Sequence, residues 1–264
     1  MRKHVSLAIR DALLTGEPRA KVVAARKVAR DWRLGRSRVD GAFASMPDHP
    51  AWPTRLDRRS HGAMPKRGRY GSIRGRIALW HALAHIEFVA IDLALDMAGR
   101  FGGARGAEFV GDWLRVAADE AMHFALLERK LGSFGAAYGD LPVHDGLWWA
   151  AIDTAHDVAA RLAIVPMVLE ARGLDVTPAT LDRVRRAGDT NGARILSRIL
   201  DDEITHVAFG TKHFRLVARE REEEPAKLWR QLVDRHFSGK VNGPFNDSAR
   251  LAAGLSRDFY AGIA

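Results

Sequence analysis

Asp119-Glu120-Ala121-Met122-His123 and Asp202-Glu203-Ile204-Thr205-His206 repeat one pattern, D-E-x-x-H, and each copy follows a lone Glu, at Glu87 and Glu170, lying 33 positions before its own Glu. On an α-helix, Glu and His three residues apart project from nearly the same face about one turn apart, so both reach one point beside the helix. Two such helices facing each other, with one further Glu from each of two more, supply the donor set of a dinuclear metal site in a helical bundle. Chance explains little of this. With 11 Glu and 11 His in 264 residues, random placement gives roughly half an E-x-x-H, and the equal offsets lower the odds further.

Working outward from the motifs, helical periodicity puts all six residues on apolar stripes. A first long helix is predicted over about 72–100, where Trp80, Leu83, Ala90, Ile91 and Ala94 share a stripe with Glu87. A second, over about 104–131, groups Trp113, Val116, Phe124 and Leu127 with Glu120 and His123. A third, over about 148–172, carries Glu170, with Gly173 as its C-terminal cap. Pro166 leaves the carbonyl of Leu162 without its usual partner and is expected to bend this helix. Thr177-Pro178 is expected to open a short helix. The fourth long helix, over about 189–220, sets Leu196, Ile199, Val207 and Phe214 around Glu203 and His206.

Residues 132–147 hold five Gly or Pro and no helical period, a connection long enough to cross a bundle end to end. The fold class is therefore all-α: a four-helix bundle with one long crossover in residues 71–222, an N-terminal helical extension and long loop in 1–70, and a C-terminal short helix and tail in 223–264. Within the extension, residues 4–34 read as two short helices broken at Gly16-Glu17-Pro18. Residues 35–69 lose all periodicity and could be a lid over a site or an arm wrapping the surface.

Four carboxylates in one core would cost several kcal/mol each without compensation. Two divalent cations bring a charge of about +4 and leave the set neutral with both imidazoles unprotonated. Glu87, Glu120, His123, Glu170, Glu203 and His206 are the candidate metal ligands. Carboxylate oxygen and imidazole nitrogen suit iron, and also manganese. Asp119 and Asp202 stand about 40° around the helix from the His four residues later, placed to accept the outward N–H of a metal-bound imidazole. His81 and His85 lie about 120° and 160° from Glu87, which suits packing or supporting hydrogen bonds rather than ligation. His156 and His213 read as core or lining residues, and His144-Asp145 as an approach to the bundle end or a helix cap.

The chain has no Cys, which excludes disulfides, thiol catalysis and the usual zinc-thiolate and iron–sulfur sites. Arg, Asp, Glu or His interrupts every long apolar run, so no membrane span is expected and the cytoplasm is the expected compartment. The net charge of +9 is uneven: residues 1–70 hold 17 Lys or Arg against 6 Asp or Glu, and the remainder 24 against 26. That excess could mark a surface for nucleic acid or could be an ordinary solvated basic face.

The order Glu, D-E-x-x-H, Glu, D-E-x-x-H resembles the ferritin-like di-iron carboxylate superfamily, which includes bacterial multicomponent monooxygenases, the ribonucleotide reductase small subunit and a tRNA hydroxylase. More narrowly, His81-Ala-Leu-Ala-His-Ile-Glu87, Leu141-Pro-Val-His-Asp-Gly146, Val165-Pro-Met-Val-Leu-Glu-Ala-Arg-Gly-Leu-Asp175 and Gly243-Pro-Phe-Asn246 are similar to a bacterial ferritin-like family known as domain of unknown function 455. The resemblance implies the same six ligands, Asp119 and Asp202 as supports of a ligand His, and a ferritin-like bundle. No particular activity follows from the resemblance; the complete six-residue set and a long loop able to gate access point to an O2-dependent oxidoreductase holding two metal ions, fed by an external electron donor and acting on a small molecule. A metal-binding or ferroxidase protein without organic substrate, a tRNA-modifying hydroxylase binding through the basic N-terminus, and an interaction module with a stabilising metal are the alternatives. A monomer or small homo-oligomer is expected.

Overall fold

Glu17 and Pro18 decide the first turn of the chain. Glu17 accepts from the N–H groups of Arg19 and Ala20 at 3.1 and 2.6 Å, and Pro18 occupies the first helical position, where an N–H would have no partner. Helices α1 (Val5–Leu13) and α2 (Pro18–Arg33) form on either side. A computed structural model describes residues 3–65 and 70–262. Among the described residues the regular structure is helical and no β-strand occurs, with two isolated β-bridges, His4 to Arg38 and Arg58 to Val143. The chain divides into two compact units, Met1–Trp148 and Trp149–Ala264, a division that runs through the 71–222 segment.

In the first unit, α3 (Ile73–Arg105) runs beyond the end its periodicity suggested, while α4 (Ala107–Gly132) starts later than expected; they meet at Gly106, whose φ of 86° lies in the left-handed region that glycine adopts without strain. Their contacts define an antiparallel register. Gly102 faces Val110, the rings of Phe88 and Phe124 are 5.3 Å apart, and the Lys130 ammonium stands 5.6 Å from the Trp80 ring. That register puts Glu87 level with His123. By length and composition α3 could cross a bilayer, but its most apolar stretch is 67% buried within the protein, as in a core helix.

The described part of the 35–69 segment is an arm tied down along its length. Phe43 lies against Gly102 and Gly103, and Met46 fills the space over Gly99, where a Cβ would come within 2.4 Å of its sulfur. The Ala51 N–H donates to Leu13 O at 2.9 Å, and Arg59 N–H to Val143 O at 2.8 Å. Residues 66–69 lie outside the described residues.

In the second unit, the helix expected over 148–172 is instead three pieces: α5 (Gly146–Asp153), α6 (Val158–Ile164) and a π-helical stretch, Val165–Glu170. Asp157 restarts the helix, its carboxylate accepting from Ala159 N–H at 2.8 Å. The buried Arg161 side chain ties α6 to the preceding turn through Thr154 Oγ1 at 2.9 Å and the Ala151 carbonyl. The bend expected at Pro166 takes the form of the π stretch, whose i→i+5 pattern lets a carbonyl bypass a residue that has no N–H.

Gly173 does not end the helix, and Thr177-Pro178 does not begin one: α7 runs unbroken over Ala171–Arg186 with Pro178 inside it. The buried Leu174, Leu181 and Val184 carry one apolar stripe across both residues, and packing of that stripe outweighs the cost of an interior proline. Helix α8 (Thr190–Glu220) follows, capped by Asp189, and α9 (Pro225–His236) packs on α6, where Trp229 Nε1 donates to Ala163 O at 3.3 Å. The tail adds two short helices, α10 (Asp247–Ala252) and α11 (Arg257–Tyr260), that periodicity did not indicate.

Candidate metal centre

Glu87 on α3 and Glu120 and His123 on α4 converge in the core of the first unit, where His123 has no exposed surface and Glu120 only 1%. His123 Nδ1 stands 3.2 Å from Glu87 Oε2 and 3.3 Å from Glu120 Oε2. Each residue offers a ligand atom within 4.8 Å of the others, so this buried group can hold a metal ion. The spacing is that of ligands around one cation. With bonds of about 2.1 Å, adjacent ligands stand about 3.0 Å apart in an octahedron and about 3.4 Å in a tetrahedron. Burial, and after it the neighbouring Glu120 carboxylate, pushes the Glu87 carboxyl well above the usual range, while the hydrogen bond from His123 opposes the shift.

In the second unit, Glu170 closes the π stretch, and Glu203 and His206 lie buried on α8, with His206 Nδ1 3.5 Å from Glu203 Oε1. Pro166 meets Gly210 so closely that a Cβ there would fall within 2.5 Å of the proline Cβ. Both residues are one turn from their neighbours in the set, which brings Glu170 level with His206 as Glu87 is with His123. The ion-pair partners of the two Asp are also alike. Arg115 approaches Asp119 at 3.9 Å, and Arg198 donates to Asp202 at 2.5 Å.

Shifting the first half by 83 positions superimposes more than the metal-type residues. Glu87, Asp92, Arg115, Asp119, Glu120 and His123 become Glu170, Asp175, Arg198, Asp202, Glu203 and His206. Asp92 and Asp175 escaped the sequence reading, although the offset itself pointed to them. The side chain of each is buried, and each meets a buried cation from outside its hairpin. Lys21 of α2 pairs with Asp92, which also accepts from Trp52 Nε1 at 2.8 Å. Arg250 of α10 makes a two-pronged contact with Asp175 at 2.9 and 2.7 Å. Asn246 N–H adds a further hydrogen bond to Asp175 at 2.9 Å. Burial raises the Asp92 carboxyl to about 6 against the pull of Lys21 and lowers the Lys21 ammonium.

The remaining histidines serve the framework. His81 Nε2 accepts from the N–H groups of Gly139 and Leu141 at 2.9 and 3.3 Å, and His85 bridges the Tyr138 hydroxyl and the His144 carbonyl at 2.9 and 3.0 Å. Burial lowers both imidazoles to about 4, so they are neutral and hold the crossover onto α3. His213 is buried on α8. His156, expected in the core, is instead exposed, with its ring 5.6 Å from that of His236. Asp157 restarts the helix just after it, so His156 stands in the break and not on the helix of Glu170.

These features define an all-helical protein whose buried glutamates and histidine can hold a metal ion. A family model described as Protein of unknown function (DUF455) matches residues 14–261, and the chain belongs to that family. It is 41% identical over 221 residues to an "Uncharacterized protein" of Haemophilus influenzae, in an alignment covering 81% of this chain and 74% of that one. No solved structure matches.

Proposed function

We propose that this protein is an O2-dependent di-metal carboxylate oxidoreductase of ferritin-like type, with Glu87, Glu120, His123, Glu170, Glu203 and His206 as the ligands of two ions, iron first and manganese second. The observation that carries the reading is the convergence of Glu87, Glu120 and His123 at coordination spacing, repeated in residue type and register by Glu170, Glu203 and His206. The chemistry supplied by two bound ions is the reduction of O2 coupled to oxidation or hydroxylation of a small organic substrate, with electrons from an external donor.

The chain's own part is electrostatic. Four carboxylates match a charge of about +4, and two neutral imidazoles complete the set without adding charge. His123 Nδ1 must give up its place between Glu87 and Glu120 as a proton carrier to act as a donor atom. The core of the first hairpin keeps bulk water from its carboxylates, with the rings of Phe88 and Phe124 packed next to Glu87 and His123, whereas Glu170, one turn beyond the Pro166 and Gly210 contact, is half-buried. Asp119 and Asp202 act as supports that orient the imidazoles four residues on.

The test is direct. The full chain loaded with two irons and reduced under anaerobic conditions should consume O2 when it is admitted, and no consumption would refute the reading. Metal analysis separates failure of the chemistry from failure of the ligand assignment, because His123→Ala and His206→Ala should each lower bound iron from two per chain toward one.

A further inference from the structure

The excess positive charge of this protein has a definite location. Residues 1–70 carry 17 basic side chains against 6 acidic, while the rest of the chain is close to balanced. Within that region, α2 is a rigid helix, held onto the first unit by buried Val22, Ala25 and Val28 and by the Lys21 to Asp92 pair. Arg19, Arg26, Arg30 and Arg33 are all exposed on it. At about 100° per residue the four fall within an arc of about 60°, in a row about 21 Å long.

Acidic residues do little to neutralise this row. Arg19 reaches Glu128 only at 3.5 Å, with its own side chain 81% exposed. Arg26 and Arg33 have no carboxylate within 4.0 Å among the described residues. Asp31 is shared among Lys27, Arg30 and Arg36, which hold it below the usual carboxylate range, foremost through the Lys27 hydrogen bond. At its Arg19 end the row borders an open surface hollow of about 520 Å³ lined by Arg19, Val22, Val23, Ala125, Glu128, Arg129 and Gly132.

We propose that the outer face of α2 binds single-stranded RNA, its arginine row taking the phosphodiester backbone and the apolar hollow beside Arg19 admitting an unstacked base. Guanidinium groups match phosphate oxygens in paired hydrogen bonds. The four guanidinium groups of the row can each take one phosphate of a single strand. The hollow favours a single strand, because a base inside a duplex has no free face to offer. The row is linear rather than broad, and Val23, at 66% exposure, is the one large apolar side chain within it, which suits a strand better than a lipid surface. The proposal is independent of any metal.

Fluorescence anisotropy of the full chain with a labelled 12-nucleotide RNA, titrated at several salt concentrations, tests it. Four contacts predict that log K falls with log salt at a slope of about −3. Arg26→Glu with Arg30→Glu should lose at least tenfold in affinity and about half of that slope. Arg183→Glu with Arg185→Glu, the same charge change on the exposed side of α7, should leave binding intact. Absence of binding at low salt, full binding by the α2 variant, or equal loss in the α7 variant would each overturn the proposal. So would duplex DNA bound as tightly as the single strand, or anionic vesicles bound more tightly than RNA.

Discussion

The two hairpins carry the same Glu, Asp, Arg and His residues at equivalent positions on differently built helices. The α3/α4 hairpin is regular: one unbroken helix bears Glu87 and Asp92, a single glycine turns the chain, and Leu83 precedes Glu87 by one turn while the buried Leu127 follows His123 by one turn. At the equivalent positions the other hairpin has Pro166 and Gly210, packed so closely that only a hydrogen fits between them, and its Glu170 ends a π stretch. The buried carboxylate five residues on is retained in both, yet its cation comes from opposite ends of the chain, Lys21 in one and Arg250 in the other. Residue type at the site is thus kept while the helix beneath it changes. The N-terminal and C-terminal segments complete their hairpins instead of decorating them.

The largest effect should come from breaking that completion. Lys21→Ala leaves Asp92 buried without a cation and should cost about 3–5 kcal/mol in chemical denaturation, whereas Lys21→Met with Asp92→Leu should come close to neutral. Arg250→Ala should match the single loss if the two pairs are equivalent, and a much smaller effect would end that equivalence. Metal removal comes next. If both triads bind ions, chelation should lower the melting temperature of the metal-loaded chain by the equivalent of about 3–4 kcal/mol for each ion at free metal 100 to 1,000 times Kd. An unchanged melting curve would speak against bound metal in either half.

Steric changes should separate the halves. Gly210→Ala forces a methyl into Pro166 and should cost about 1–3 kcal/mol by overpacking. At the equivalent position, Leu127→Ala opens a cavity at about 2–5 kcal/mol, and a smaller side chain is what harms there. The smallest effect is on pH. His81 is held near 4 in the fold against 6.5 unfolded, so its contribution is complete above pH 6.5 and is lost as pH falls toward 4, by about 1–3 kcal/mol. The second hairpin has Ile164 at that position, so the acid sensitivity belongs to the first alone. His81→Gln, which keeps an acceptor for Gly139 and Leu141, should flatten the pH dependence of unfolding; unchanged steepness would assign it elsewhere.

Much of the candidate site was legible because its residues recur at fixed helical spacing: Glu87, Glu120, His123, Glu203 and His206 are buried, as their apolar stripes required, and Glu170, at the end of the π stretch, is half-buried. Helix ends were less so. Gly173 and Pro178 are ordinary stop and start signals, and the stripe of Leu174, Leu181 and Val184 overrode them, since a local signal is worth less than continuous packing. Asp92 and Asp175 could have been found from the 83-residue offset, but Lys21 and Arg250 could not, for nothing local pairs residue 21 with 92 or 175 with 250.

The sequence by itself determined the all-helical class, the buried stripes and the repeated Glu and His set, because these depend on periodicity along a single helix. Only the tertiary structure decided where Glu87, Glu120 and His123 meet, which cations balance Asp92 and Asp175, and how Pro166 is accommodated. Those are distances between segments far apart in the chain, set by packing, and no local pattern encodes them.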